Sequence, residues 1–248
     1  MSLAVLYNDA RAIWRFNNTW ADAKGNHPIS NTGAIFDDSY PRLGSHNGRW
    51  DGIDNFGAVA DHIDFKQNEF TFVGLIYLPN LITLQAVIGK HNVPSKSGYA
   101  TFFHPTGSQF YFQAGNGSTW PAYNASYAIG STGWHWVACS HSLTSHKLYI
   151  DGYLRISVGG GSLAHNTHDL WFSRNTNDGT YYPSELDEAN YFTRQLTDGG
   201  ISVGQLVEGE MGELWNDGAV FELVSAANMS IVNGGLINNG LAQRGLII

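Results

Sequence analysis

The chain has 248 residues, of which 43% are apolar and 13% aromatic, enough for a sizeable core, while only 14% are charged and 29 are glycine. Its formal net charge of −8, with no cluster of Lys or Arg, argues against nucleic acid and against an anionic membrane surface as partner. No apolar run is long enough to span a bilayer. The first residues lack a basic segment followed by an apolar one, so no signal peptide is expected.

Residues 12–16 alternate and read as a first strand, and a polar turn follows at 22–27. Residues 48–56 read as a strand broken by the Asp51-Gly52 turn signal. The run 69–78 is apolar, β-branched in places and closed by Pro79, which predicts a central strand. Residues 86–90 form another strand, and 99–103 pairs with 109–113 around the turn at Pro105-Thr106-Gly107. A long loop is predicted from 115 to 131, carrying Trp120 and Tyr123.

Two strands follow at 134–139 and 147–152, and Asp151-Gly152 turns the chain into a further strand at 153–157. Cys139 is the single cysteine, in an apolar strand, and reads as a small core residue with no disulfide partner. Residues 169–173 make a strand before a polar loop at 174–182. Residues 186–196 read as a strand running into a helical start. Beyond it, Asp198 is a candidate N-cap for a short helix over 200–208, and 211–215 can make another turn of helix.

Roughly a dozen short strands with regularly spaced turns predict an all-β, two-sheet antiparallel sandwich. The composition changes after Gly218. Residues 219–248 carry one basic residue, Arg244, and one acidic residue, Glu222, among aliphatics, Gly and Asn. A disordered linker has more charge and fewer aliphatics. The chain therefore divides into a sandwich over 1–218 and a C-terminal interaction arm over 219–248, expected to pack against the chain's own sandwich or a neighbouring subunit.

Several motifs occur together in order. They are Trp14-Arg15-Phe16, Asp22-Ala23-Lys24-Gly25-Asn26, Trp50-Asp51-Gly52, Phe70-Thr71-Phe72 and Ile88-Gly89-Lys90, then Trp134-His135-Trp136-Val137-Ala138 and Lys147-Leu148-Tyr149-Ile150-Asp151-Gly152. The last is Leu186-Asp187-Glu188-Ala189, running to Arg194-Gln195-Leu196. This series resembles the LamG-like, concanavalin A-like jelly-roll domains, over about residues 12 to 215. The resemblance implies the jelly-roll sandwich and recognition of glycans or proteins, and names no single activity. It also implies a structural calcium at the sandwich rim, with Asp22, Asn26 and Asp187 at the matching positions. Oxygen ligands of this kind suit a hard cation.

The laminarinase-type glycoside hydrolases of this fold carry Glu-x-Asp-x-Glu on a strand. This chain has Glu185-Leu186-Asp187-Glu188-Ala189, so the final acid is absent. In a regular strand Glu185 and Asp187 share a face and can approach the 5–5.5 Å spacing of a retaining pair, roughly. The flanking residues fit the LamG-like register instead, and no enzyme activity is expected. Asp187 and Glu188 are expected to take loop N–H groups or to pair with Arg194 or Arg15. Spacing among the ten histidines gives no transition-metal motif; the closest pair is His165-x-x-His168.

Glycan recognition needs aromatic faces beside hydrogen-bonding groups. The loop residues Trp120, Tyr123, Tyr181 and Tyr182 are the candidate platform, with Asn116, Asn124, Asn175 and Asp178 nearby in sequence. Trp14, Trp50, Trp134 and Trp171 lie in strands and are assigned to the core. The expected function is a non-catalytic recognition or structural module of a larger assembly, with no required cofactor. A phage virion component (capsid decoration or tail-associated) fits the missing signal peptide and the apolar arm, and places it on a virion or extracellular surface. A free-standing carbohydrate-binding adhesin is the alternative, and a laminarinase-type glycoside hydrolase the second.

Overall fold

The uncharged run Phe70–Leu78 is buried along almost its whole length. Side chains of a strand alternate between faces, so a strand without a polar face needs apolar cover on both sides. The computed structural model, which describes residues 3–174, 181–215, 229–232 and 235–238, supplies both covers.

In chain order the protein has helix α1 (Leu3–Asp9) and strands β1 (Ala12–Trp14), β2 (Ser30–Thr32), β3 (Ile35–Asp37), β4 (Asn47–Asp51) and β5 (Phe56–Val59). A 3₁₀ turn at Ile63–Phe65 precedes β6 (Phe70–Leu78), β7 (Gln85–Gly89), β8 (Tyr99–His104), β9 (Gln109–Ala114) and β10 (Tyr123–Ala128). Then come β11 (Gly133–His141), β12 (Ser145–Ile150), β13 (Tyr153–Gly159), β14 (Leu170–Phe172) and β15 (Pro183–Phe192). Helix α2 (Gly209–Trp215) and a hairpin of β16 (Met229–Val232) and β17 (Gly235–Asn238) complete the series.

Two antiparallel sheets form the jelly-roll sandwich. One is ordered β13-β12-β11-β6-β15-β4-β3, with β1 also paired to β15. The other is ordered β10-β9-β8-β7-β14-β5-β2. Between them lies an aromatic core that includes Trp14, Trp50, Phe70, Phe72, Phe112, Phe172 and Tyr191. On the outside of the first sheet, Leu6 of α1, Ala10 just after it, and Met211 and Leu214 of α2 cover Val73, Leu75, Trp136 and Tyr149. Phe70, Phe72 and Ile76 face the first cluster, Val73 and Leu75 the second. That double cover explains why β6 reads as one continuous apolar run. Arg194 fastens the helices by bonding Glu210 of α2 and Asp9 of α1, each at 2.7 Å.

Most predicted strands are present, and β6 is central, between β11 and β15. Three expectations are corrected. The predicted loop 115–131 contains a strand, β10, whose side chains alternate weakly because it forms the sheet edge. The predicted helical start after Phe192 is absent, because Thr71 Oγ1 donates to Arg194 O and accepts from Leu196 N, both at 3.0 Å, which holds that stretch against β6. Asp198 caps no helix over 200–208. Its Oδ2 instead accepts from Lys147 Nζ and Tyr149 OH at 2.7 Å. Asp187 takes loop N–H groups from Arg42 and Leu43, as expected, while Arg194 pairs with Glu210 and Asp9. Helix α1 was not predicted, since too few residues precede β1 to establish a helical period.

Candidate functional site

Among the described residues, the outer face of the second sheet carries no helical cover comparable to that of the first. On β9, Phe110, Phe112 and Ala114 point to the core while Gln109, Tyr111 and Gln113 point outward. On β8, Phe102 is directed outward and stacks on Tyr111 of β9, with ring centroids 5.1 Å apart and planes at 11°. On β14, Trp171 is half-buried between the buried Leu170 and Phe172, so it faces outward and is not a core residue as expected. Between these aromatics, Ala86, Gly89 and Ala100 leave the sheet surface low. The result is a cleft of about 220 Å³.

Two loops raise its walls. Trp120, from the segment before β10, stacks on His91 at 5.3 Å and 18°. Asn116 Oδ1 accepts from Ser118 N and Thr119 N at 2.9 Å, which shapes the turn that delivers Trp120. Gly115 is required here, because a Cβ would lie 2.2 Å from Lys96 O and 2.7 Å from Trp120 Cε3. Tyr182 and Arg174 enter from the other side. The Arg174 guanidinium lies 4.4 Å from the Trp171 ring centroid and 4.9 Å from that of Phe56. It places a positive charge beside an aromatic face.

Of the four predicted platform residues, Trp120 and Tyr182 line this one cleft. Tyr181 sits behind it, stacked on Phe56 at 5.7 Å and within 5.4 Å of Arg174. Tyr123 is elsewhere: its ring lies against His141 at 5.1 Å and its hydroxyl donates to Ser162 O. Asn124 accepts from Gln113 Nε2. Asn175 and Asp178 lie outside the described residues. Sequence reasoning missed Arg174, Phe102 and His91. The outward position of Trp171 was legible in principle, because alternation puts it opposite Leu170 and Phe172.

The acidic residues have structural partners. Asp22 is buried, and its carboxylate accepts four backbone N–H bonds: from Ile13 (2.8 Å) and Lys24 (2.9 Å) at Oδ1, and from Asn26 (3.1 Å) and His27 (3.0 Å) at Oδ2. Asp187 is fully buried, and its Oδ2 accepts from Arg42 N (3.1 Å) and Leu43 N (2.7 Å). Asn26 contributes its N–H to the Asp22 cage. Among the described residues, Asp22 and Asp187 are not part of one cluster of metal-ligating side chains. N–H donors and a cation compete for the same carboxylate lone pairs.

A bulge interrupts the candidate acid motif. Pairing with β6 passes from Asp187↔Leu75 to Asn190↔Val73, and Glu188 takes the left-handed conformation at φ 47°. Glu185 accepts from Asn47 Nδ2 at 3.3 Å and faces Arg49. Burial raises its pKa, against the opposing charge of Arg49.

A family model described as the concanavalin A-like lectin/glucanases superfamily matches residues 51–202. No curated protein matches the chain in sequence. Solved structures show the same fold at low identity. The binding domain of botulinum neurotoxin DC, in complex with rat synaptotagmin II, matches with a TM-score of 0.60 and 13% identity over 77% of this chain and 49% of that one. A botulinum neurotoxin type C structure, described by cell entry that depends on two ganglioside molecules, matches with a TM-score of 0.61 and 14% identity over 79% of this chain and 50% of that one. Domain 4 of a GH43 extracellular arabinanase from Geobacillus stearothermophilus, in complex with arabinotriose, matches with a TM-score of 0.60 and 16% identity over 84% of this chain and 97% of that one. The chain thus spans about half the length of the toxin chains it resembles.

Proposed function

Starting from a chain that belongs to the concanavalin A-like lectin/glucanase superfamily, we propose that it is a non-catalytic recognition module that binds a glycan in the cleft of the second sheet. The observation that carries this reading is the convergence of Trp120 and Tyr182 on one cleft beside Arg174. Sugar C–H faces stack on aromatic rings, and hydroxyls take hydrogen bonds from polar neighbours. The cleft is smaller than the pockets of about 300–1,000 Å³ that enclose drug-sized ligands, which suits one ring of a longer chain. The arabinotriose and ganglioside associations of two structural neighbours support the ligand class.

A hydrolytic role is disfavoured by the acid motif itself. Asp187 is fully buried beneath the backbone at Arg42 and Leu43, where no glycosidic oxygen can reach it. An assembly role is part of the same reading: residues 219–248 act as the arm that engages other subunits, in keeping with their low charge and the β16–β17 hairpin. A virion surface is the setting that fits a recognition module carrying such an arm. Probing a glycan array with the wild-type protein and with Trp120→Ala tests the central element. Binding that Trp120→Ala abolishes supports it, and binding indifferent to that change removes the cleft from the account.

A further inference from the structure

Away from the cleft, three ligand-type side chains from separate segments converge. His27 lies between β1 and β2, and His62 and Asp64 belong to the 3₁₀ turn after β5. Their ligand atoms all lie within 4.8 Å of one another. His27 Nε2 is 3.0 Å from Asp64 Oδ2, and His62 Nδ1 is 3.3 Å from the same oxygen. In a tetrahedral site with bonds of about 2.0–2.1 Å, neighbouring ligands stand about 3.3 Å apart. Two of the three spacings therefore lie close to the edges of such a coordination shell, and all three ligand atoms lie within 4.8 Å of one another.

The surroundings fix one ligand and leave another adjustable. His27 is buried; its N–H donates to Asp22 Oδ2 at 3.0 Å, and its carbonyl accepts from Trp14 Nε1 at 2.7 Å. Its ring is held edge-on against Phe65 at 4.8 Å. The Asp22 cage thus aims Nε2 at Asp64. The His62 side chain is half exposed, so solvent can reach a fourth position; its Nδ1 accepts from Asp64 N at 3.2 Å and its ring lies edge-on to His27 at 4.8 Å, so a metal would take the place of that N–H bond. Two imidazoles and one carboxylate suit zinc and its neighbours, whereas calcium and magnesium take all-oxygen shells.

We propose that His27, His62 and Asp64 bind a divalent transition-metal ion of the zinc class, with water in the remaining position. The site is built from different elements than the cleft and stands independently of the glycan reading. It locks the 22–27 segment to the 3₁₀ turn.

The test uses the full chain without an affinity tag, stripped of metal and titrated with Zn²⁺ by calorimetry at neutral pH. The expected result is a site that His62→Ala and Asp64→Asn each weaken by tenfold or more, with both variants folded by circular dichroism. His27→Ala risks the buried segment, so His62→Ala, at a half-exposed position, carries the decision. Cobalt substitution should give the visible absorption of a tetrahedral ion in the wild type and lose it in His62→Ala. No zinc binding by the wild type, or equal binding by His62→Ala, would overturn the site and leave His27–Asp64 as a hydrogen-bonded pair.

Discussion

Replacing Asp22 by Ala removes one acceptor group from four backbone N–H donors. Two of those bonds, from Ile13 and His27, are buried. Their donors stay dry when the carboxylate is gone, at about 1–3 kcal/mol each. The N–H groups of Lys24 and Asn26 are partly exposed and bond to water instead, so they add little to the two buried losses. The sum is about 4 kcal/mol, against a typical domain stability of about 5–15 kcal/mol. For a chain of this size that corresponds to a fall in Tm of about 8–16 °C. Urea unfolding followed by tryptophan fluorescence gives the free energy, and calorimetry gives Tm. A loss below about 1 kcal/mol would refute the cage as a stabilising element. Added Ca²⁺ discriminates the remaining role for Asp22. The cage predicts an unchanged wild-type Tm, whereas a rise that Asp22→Ala abolishes would assign the carboxylate to calcium.

Two further outcomes follow from buried groups and from the arm. His141 and His146 meet Nδ1 to Nδ1 at 2.9 Å, with burial lowering the pKa of both and taking His146 down to about 3. The unfolded chain accepts these protons near pH 6.5, so stability is full above that value and falls as the pH drops below it, for His146 down toward 3 by up to about 1.4 kcal/mol per pH unit, with His141 adding in the same direction; chemical unfolding between pH 7 and pH 4, roughly, should show this slope and His146→Gln should flatten it. Sedimentation of the full chain is expected to give a mass above that of the 27.2 kDa protomer, and a monomer at all concentrations would contradict the assembly role of residues 219–248.

The sandwich was legible because its signals are local. Alternation in β9, the apolar run of β6 and the Asp-Gly turn after β12 each declare a strand or a turn within a few residues. The motif series then orders them. The cleft was half legible: Trp120 and Tyr182 stand out as loop aromatics, but nothing in their spacing shows that they meet over Ala86, Gly89 and Ala100. That meeting depends on β7 lying between β8 and β14, a long-range arrangement. Arg174 was missed because its partners, Phe56 and Trp171, come from two neighbouring strands that are distant in sequence. The resemblance placed Asp22 at a cation site, but a carboxylate in a Gly/Asn turn serves equally as the acceptor for a ring of N–H groups, which is its role here. His27, His62 and Asp64 were invisible to any motif of fixed spacing, since two separate connections bring them together.

Glycan recognition by this protein stands or falls with the cleft. The deciding measurement is a glycan array read with the wild-type protein and Trp120→Ala, with the strongest hit then titrated against both proteins while following tryptophan fluorescence. Recognition in the cleft requires saturable binding by the wild type and a loss of tenfold or more in Trp120→Ala, at unchanged Tm. Saturable binding with the same affinity in both proteins, or no glycan bound by the wild type, would contradict it.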